Sequence, residues 1–352
     1  MKVGILTFHR AHNYGAVLQC YALQEVLKSM GHEVWVVDYR QKTLEEGYHP
    51  VLLKKIISLL SHPRNLLSYM CGFFNRYSEW VIFDKFRRNY LNIDRKYKSK
   101  IQTDLDCYII GSDQVWGFNW IGGVDMVYFG NFEHSSNSRV VGYAVSTNEE
   151  SLKTIKDRGL SEYIKRIDCL SMREKFASDY LERELGIHSH VCLDPTLLTK
   201  KETWGHLIND KWANEKYVLM YQVRYPAKQS ERNFLRRKAD ILAKSLNCRV
   251  VDLSSNNYSV EDFVSLFKYA QYVVTSSFHG TVFSLIFETP FYTFQLNDGH
   301  DGRCKDLLCS LGLSRCFVDI GFTPILQTAN LKDADMNIDG LKLGSLEFLA
   351  NI

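Results

Sequence analysis

The sequence predicts an α/β protein of two successive doubly wound units, and three observations carry that expectation. Its 352 residues are about twice the usual domain size. Short apolar runs alternate with segments of helical periodicity along most of the chain, the order expected of parallel crossover units. Asp194-Pro195 interrupts this alternation near the middle, which places a boundary between Gly186 and Thr203. The expected division is 1–188 and 189–352, with a helical basic insertion at about 48–100 and a last helix that returns to the first domain.

Val3 to Phe8 reads as the first strand. Ala16, Val17, Leu18, Leu23, Val26 and Leu27 then recur at helical spacing until Gly31 ends the helix, and Glu33 to Val37 is the next strand. Strands return at Cys107 to Ile110, Val140 to Val145 and Asp168 to Ser171. The second series runs through Tyr217 to Tyr221, a helix around Asn233 to Ser245, then Arg249 to Leu253 and Tyr272 to Thr275. It closes with an apolar helix over Val282 to Phe287, stopped by Pro290, and the strand Phe291 to Phe294.

Composition excludes several classes of function. With 45% apolar and 24% charged residues and an ample stock of aromatic side chains, the chain can bury a core and is not disordered. A formal charge of +3 is too small to indicate a nucleic-acid partner. The 9 cysteines form no Cys-x-x-Cys pair and would leave one over, so we expect reduced thiols in a cytoplasmic compartment and no zinc ribbon. The run Val3 to Phe8 is too short for a signal peptide, so the mature chain is expected to start here. Tyr269 to Phe287 lacks formal charge, but Thr275 to Gly280 breaks it with polar residues, which argues for strand, loop and buried helix rather than a membrane span.

Doubly wound folds bind ligands beyond the carboxyl ends of their strands, so the strand exits are where chemistry is expected. The first, Phe8 to Gly15, offers the imidazoles of His9 and His12, the guanidinium of Arg10, and Asn13, Tyr14 and Gly15 ahead of a helix whose free backbone N–H groups suit an anion. The plainer alternative is a solvated loop with Asn13 as cap. The second, after Cys107 to Ile110, is Gly111-Ser112-Asp113, where glycine allows close backbone approach and Asp113 is a candidate base. Asp113 could equally cap a turn. The third is Ser276-Ser277-Phe278-His279-Gly280, a histidine between a strand and a helix with hydroxyls before it. Such a histidine can meet a phosphate or move a proton, against the alternative of a satisfied core histidine. No Gly-x-Gly-x-x-Gly follows the first strand, and no Walker-type loop, His-Glu-x-x-His or Gly-x-Ser-x-Gly occurs, which speaks against nicotinamide, P-loop, zinc-protease and esterase chemistry.

An ordered set of segments resembles the polysaccharide pyruvyl transferase family. It comprises Asn13 to Gln19, Asp106 to Asp113, Ser171-Met172-Arg173-Glu174, Cys192 to Leu198 and Ser276 to Phe283, and the likeness runs from the first strand to about Gly312. The resemblance implies two Rossmann-like domains facing a cleft, a glycosyltransferase-B-like arrangement. It also implies transfer of the enolpyruvyl unit of phosphoenolpyruvate onto two sugar hydroxyls as a cyclic ketal, in cell-surface polysaccharide (capsule) biosynthesis. The family's essential histidine falls on His279 and its arginine of the Ser-x-Arg segment on Arg173. Two departures stand out: Ser277 occupies the place of an arginine two positions before the histidine, and Gly111-Ser112-Asp113 that of a triple glycine. Arg303 could restore the missing positive charge, or be a helix-surface arginine.

On this reading His279 gives a proton to the enol carbon and Asp113 accepts one from the sugar. Arg173, Ser276, Ser277, Gly280, Gly111, Ser112, His9, Arg10, Asn13, Tyr14 and Arg303 surround the substrates. The donor is phosphoenolpyruvate, and no cofactor or metal is required. Other classes remain: a sugar-nucleotide glycosyltransferase of the same architecture, or a noncatalytic carbohydrate-binding or assembly protein.

The basic charge is concentrated. Between residues 51 and 100 there are 11 Lys and Arg against 3 Asp and Glu, a local +8 in a chain of +3. Lys54, Lys55 and Ser58 share one face of an expected helix whose other side is Val51, Leu52, Ile56, Leu59 and Leu60. Leu66, Met70, Phe73, Tyr77 and Trp80 mark a second helix. Two readings fit, a packed insertion with a solvated basic face or a segment that meets an anionic membrane, where a polyisoprenyl-diphosphate-linked sugar acceptor would reside.

Overall fold

The computed structural model describes residues 1–49, 65, 69–94, 101, 104–254, 258–326 and 332–352. Two sheets organise them, and every strand pair is parallel. The first contains β1 (Lys2–Leu6), β2 (Glu33–Val36), β3 (Cys107–Asp113), β4 (Arg139–Val145), β5 (Cys169–Met172) and β6 (His190–Val191), in the order β2-β1-β3-β4-β5-β6. The second contains β7 (Tyr217–Tyr221), β8 (Arg249–Asp252), β9 (Tyr272–Thr275), β10 (Phe291–Phe294) and β11 (Phe317–Val318), in the order β11-β10-β9-β7-β8. This is an α/β architecture of two Rossmann-like, doubly wound units. Central strands such as β7 are buried at every position, as expected where helices cover both faces of a parallel sheet.

The longer described helices are α1 (Tyr14–Ser29), α2 (Phe73–Tyr90), α3 (Glu149–Asp157), α4 (Lys175–Leu185), α5 (Phe234–Ser245), α6 (Val260–Tyr269), α7 (Phe278–Ile286), α8 (Gly302–Ser310) and α9 (Lys332–Ala350). Helix α1 joins the two halves. Tyr14 stacks on Phe263 at 4.6 Å and donates its hydroxyl to the Tyr258 carbonyl at 2.7 Å, while Tyr21 meets Trp204 edge-on at 6.1 Å. One apolar core therefore runs from the first sheet through α1 into the second. At the other end of the chain, α9 packs back on the first sheet. Ser345 accepts the backbone N–H of Leu193, Arg139 donates to the Asn351 carbonyl, and Phe348 lies 6.0 Å from Tyr143.

Several elements depart from the sequence expectation. Strand β3 continues through Gly111, Ser112 and Asp113, because β4 offers a backbone partner as far as Val145 opposite Asp113; polar residues there had the look of a loop. Helix α7 starts at Phe278, capped by Ser277, so that His279 lies in its first turn. Strands β6 and β11 have 2 residues each, too few for any periodicity. Helix α6 was absent from the expected series although Val260, Phe263, Val264 and Phe267 carry its apolar face and Ser259 caps it. Helix α2 buries Phe83 and Phe86, not the predicted stripe: Tyr77 of that stripe, with Phe74 and Val81, is exposed. Lys54, Lys55, Ser58 and the helix expected over 51–60 lie outside the described residues.

Candidate functional site

A cavity of about 350 Å³ lies between the carboxyl ends of the two sheets. His12, Asn13 and Asp113 line it from the first unit, and Arg224, Ser277, His279 and Arg303 from the second. Two helix starts open on it. Asn13 caps α1 by accepting the Ala16 N–H at 3.2 Å, and the Ser277 hydroxyl accepts the Gly280 N–H of α7. Both helices thus present the positive end of their dipole to the same space, a disposition that favours an anion.

His279 is nearly buried against the opposite domain. A β-carbon at Gly15 would lie 1.9 Å from its Nδ1, so the imidazole occupies the space that any side chain at position 15 would need. Its Nε2 faces Asp194 Oδ2 at 3.5 Å. Asp194 is fully enclosed, accepts Arg173 NH1 at 2.6 Å and accepts the Thr196 hydroxyl at 2.6 Å, and it also caps the short helix Pro195–Leu198. Burial alone would raise its pKa, yet His279, Arg173 and Thr196 together hold the carboxyl well below the usual carboxylate range. A fixed carboxylate thus stands behind the imidazole, close enough for charge contact though not hydrogen-bonded to Nε2, in the manner of the base-and-orienter arrangement of acid–base sites.

Arg173 completes the network on the side away from the cleft. Its Nε reaches Glu174 at 3.2 Å, NH2 donates to Ser146 Oγ at 2.8 Å, and the guanidinium lies 4.4 Å from the centre of the Phe278 ring. It borders a second, largely apolar cavity of about 640 Å³ rather than the cleft. Burial opposes its charge, but Glu174 and Asp194 outweigh that and raise its pKa.

Arg303 differs. It lines both cavities, forms no ion pair among the described residues, and its Nε has no hydrogen-bond partner. Burial, with Arg173 and Arg224 adding repulsion, pulls its pKa down to about 10. Arg224 is anchored by Asp298 and Asp301 and donates to the Ser276 carbonyl. The cleft thus holds a cation in want of an anion, next to a buried imidazole.

The family model described as polysaccharide pyruvyl transferase matches residues 13–297, which is most of the chain. The chain belongs to the polysaccharide pyruvyl transferase family. No curated protein matches the sequence. Among solved structures, the chain is similar to a putative UDP-N-acetylglucosamine 2-epimerase from Listeria monocytogenes, at 9% identity and a TM-score of 0.47, over 99% of this chain and 90% of that one. It is also similar to UDP-GlcNAc 2-epimerase from Methanocaldococcus jannaschii in complex with UDP-GlcNAc and UDP, at 9% identity and a TM-score of 0.46, over 97% and 93%. The heptosyltransferase WaaC of E. coli aligns at 12% identity and a TM-score of 0.39, over 84% and 88%. The two-sheet arrangement described above stands on its own strand orders.

Against this pyruvyl transferase family's motifs, the predicted residues divide. His279, Asp113, Asn13, Ser277 and Arg303 line the cleft. Asp113 has φ of 76° and its carboxylate accepts its neighbour Gln114 N–H at 2.9 Å, leaving the other oxygen for a ligand. Ser112 does not reach the cleft: it is completely buried and donates to the Ala144 carbonyl at 2.9 Å. Gly111, at φ 106°, is required where a β-carbon would meet the Tyr143 carbonyl oxygen at 2.4 Å. Gly280 lies against Thr275, and Ser276 is buried behind the loop. Tyr14 turns into the interface between the units. His9 and Arg10 point away to Asp38, and burial holds the His9 pKa below its ordinary value.

His12, Arg224 and Asp194 were not among the expected site residues. His12 takes the place expected of His9, stacked on Phe83 at 5.2 Å. Burial, with Arg87 contributing, lowers its pKa to about 3, so it faces the cleft as a neutral imidazole. In the sequence Asp194 marks the boundary and lies in one of the segments that resemble the family, without a role of its own. Its Asp-Pro pair signals a helix start, which is correct, but nothing local signals that the same carboxylate meets His279.

Proposed function

We propose that this chain transfers the enolpyruvyl unit of phosphoenolpyruvate onto two hydroxyls of a sugar, closing a cyclic ketal during synthesis of a cell-surface polysaccharide such as a capsule. The observation that carries the reading is the Asp194-backed His279 at the start of α7 beside Arg303, an arginine without an ion-pair partner among the described residues. The Arg303 guanidinium and the N-terminus of α7 hold the donor's phosphate or carboxylate. His279 protonates the methylene carbon, and the double-bond electrons take that proton to form the methyl group. The cationic carbon that results is attacked by the first sugar hydroxyl, whose proton passes to Asp113. The second hydroxyl closes the ring as the carbon–oxygen bond to phosphate breaks, and its proton leaves with the phosphate. The proton taken by Asp113 is returned through solvent to reset His279. Metal and cofactor have no part in this scheme.

No described helix is long and apolar enough to cross a membrane. Met70, Phe74, Tyr77 and Val81 nonetheless form an exposed apolar row at helical spacing along α2 and the turn before it, within the most basic part of the chain. This row supports peripheral docking on the inner face of an anionic membrane, with an acceptor sugar carried on a polyisoprenyl diphosphate.

The test is product analysis. Incubation with phosphoenolpyruvate and candidate acceptors should release inorganic phosphate in step with acceptor pyruvylation. Release of a nucleotide from a sugar-nucleotide donor instead would make the chain a glycosyltransferase, and release of neither a binding protein.

A further inference from the structure

Outside the cleft, a separate cavity of about 250 Å³ is lined by Arg10, Asp38, Arg40, Asp84, Arg87 and Arg88. It lies where β1 and β2 end, the edge at which doubly wound sheets receive ligands, and the C-terminal half of α2 closes it. Four guanidinium groups face two carboxylates. Asp38, 1% exposed, is shared: Arg10 Nε donates to its Oδ1 at 2.7 Å, Arg40 NH2 to its Oδ2 at 3.1 Å, and His9 Nε2 lies 3.2 Å away. Asp84 binds Arg88 Nε at 2.6 Å and stands 4.0 Å from Arg87. Glu45, outside the lining, pairs with Arg40 at 3.5 Å, which still leaves a positive excess.

Arg87 is the residue that this arrangement does not satisfy. Its side chain is 3% exposed, its Nε has no hydrogen-bond partner among the described residues, and NH1 reaches the Arg10 carbonyl only at 3.5 Å. A buried guanidinium without a close carboxylate is costly unless an anion completes it. Planar arginine donors in this number suit the oxygens of a tetrahedral oxyanion, and a cavity of about 250 Å³ has room for one.

We propose that this cavity is a second anion site, which binds the phosphate or diphosphate end of an ester. It is distinct from the cleft, because the loop divides there: Arg10 lines the second site while His12 and Asn13 line the first. Two sources carry that chemistry, a lipid headgroup and a soluble sugar phosphate.

Calorimetric titration of the full chain with inorganic pyrophosphate tests it. Two binding events are expected; Arg40→Gln and Arg87→Met should each weaken one of them at least tenfold and spare the other, which Arg303→Gln should remove. A single event abolished by Arg303→Gln and untouched by Arg40→Gln overturns the proposal. Should Arg87→Met fail to fold by circular dichroism, the partly exposed Arg40→Gln decides alone, and unchanged affinity there overturns it equally. Competition against pyrophosphate at this site by phosphatidic-acid vesicles alone assigns a lipid headgroup, and by a soluble sugar phosphate alone a free ester. Competition by both assigns the phosphoryl group itself, and by neither overturns the assignment to an ester.

Discussion

Gly15 and His279, from opposite halves of the chain, occupy one another's space: a β-carbon on the first would stand 1.9 Å from Nδ1 of the second. The imidazole is thus set by the first turn of α1 as much as by its own helix. Gly15→Ala should push the ring off Asp194. Since misplacement of a reacting group by an ångström can cost about 100-fold, turnover should fall by that order in a protein that still melts cooperatively. Unchanged turnover would show that the position of the ring is not needed.

His279→Ala removes the proposed proton donor without removing Asp194 or Arg173. Turnover should drop by roughly 100-fold or more, as for loss of general acid–base catalysis, with the far-ultraviolet spectrum retained. A folded variant at near-normal rate would take His279 out of the mechanism.

Arg173 and Arg303 should separate kinetically. Arg173 is held by Asp194, Glu174 and Ser146, so Arg173→Lys loses the planar fork that positions Asp194 and should lower kcat with little change in donor KM. Arg303→Gln, by contrast, should raise the donor KM about tenfold or more, as expected when a charge-assisted hydrogen bond worth ~1.5 kcal/mol or more is lost. The reverse pattern would return donor binding to Arg173.

His12 predicts an acid-sensitive fold. Burial lowers its pKa to about 3 in the folded chain, against about 6.5 when unfolded. Between those values the unfolded chain binds the proton and the folded chain does not, so stability is greatest above about pH 6.5 and declines as pH falls towards the folded value. The slope from this residue is at most about 1.4 kcal/mol per pH unit. His12→Phe keeps the stack on Phe83 and should flatten the melting-temperature profile in that window. An equally steep profile in the variant would assign the acid sensitivity elsewhere.

The apolar row on and before α2 should matter only to membrane binding. Phe74, 76% exposed, makes few contacts that folding would miss. Sedimentation with anionic liposomes at low salt should recover the native chain, and a Phe74→Glu, Tyr77→Glu double variant should stay in the supernatant with its activity on a soluble acceptor unchanged. Failure of the native chain to bind either anionic or neutral vesicles would leave α2 as a packed insertion with a solvated face.

Local pattern carried the two-unit architecture, but not the two-residue strands β6 and β11 or helix α6. The apolar runs, their helical and strand periods, and the cap at Asn13 depend on near neighbours in the chain, and parallel crossovers follow from their order. The strand exits could therefore be named as candidates, and His279, Asp113, Asn13 and Ser277 from them line one cavity, together with Arg303, which entered only through the family's missing arginine. What tertiary structure alone decided is which side chain of each exit turns inward. Between Phe8 and Asn13 the choice fell on His12 over His9, because Asp38, arriving at the end of β2, draws His9 and Arg10 the other way. Ser112 was lost to the cleft because β4 extends far enough to take its hydroxyl, and Asp194 was gained because α1 packs the two sheets so that a helix cap on one meets an imidazole on the other. Periodicity reports what a residue's own segment buries; it carries no information about groups delivered by another crossover, and His279 and Asp194 are two such groups.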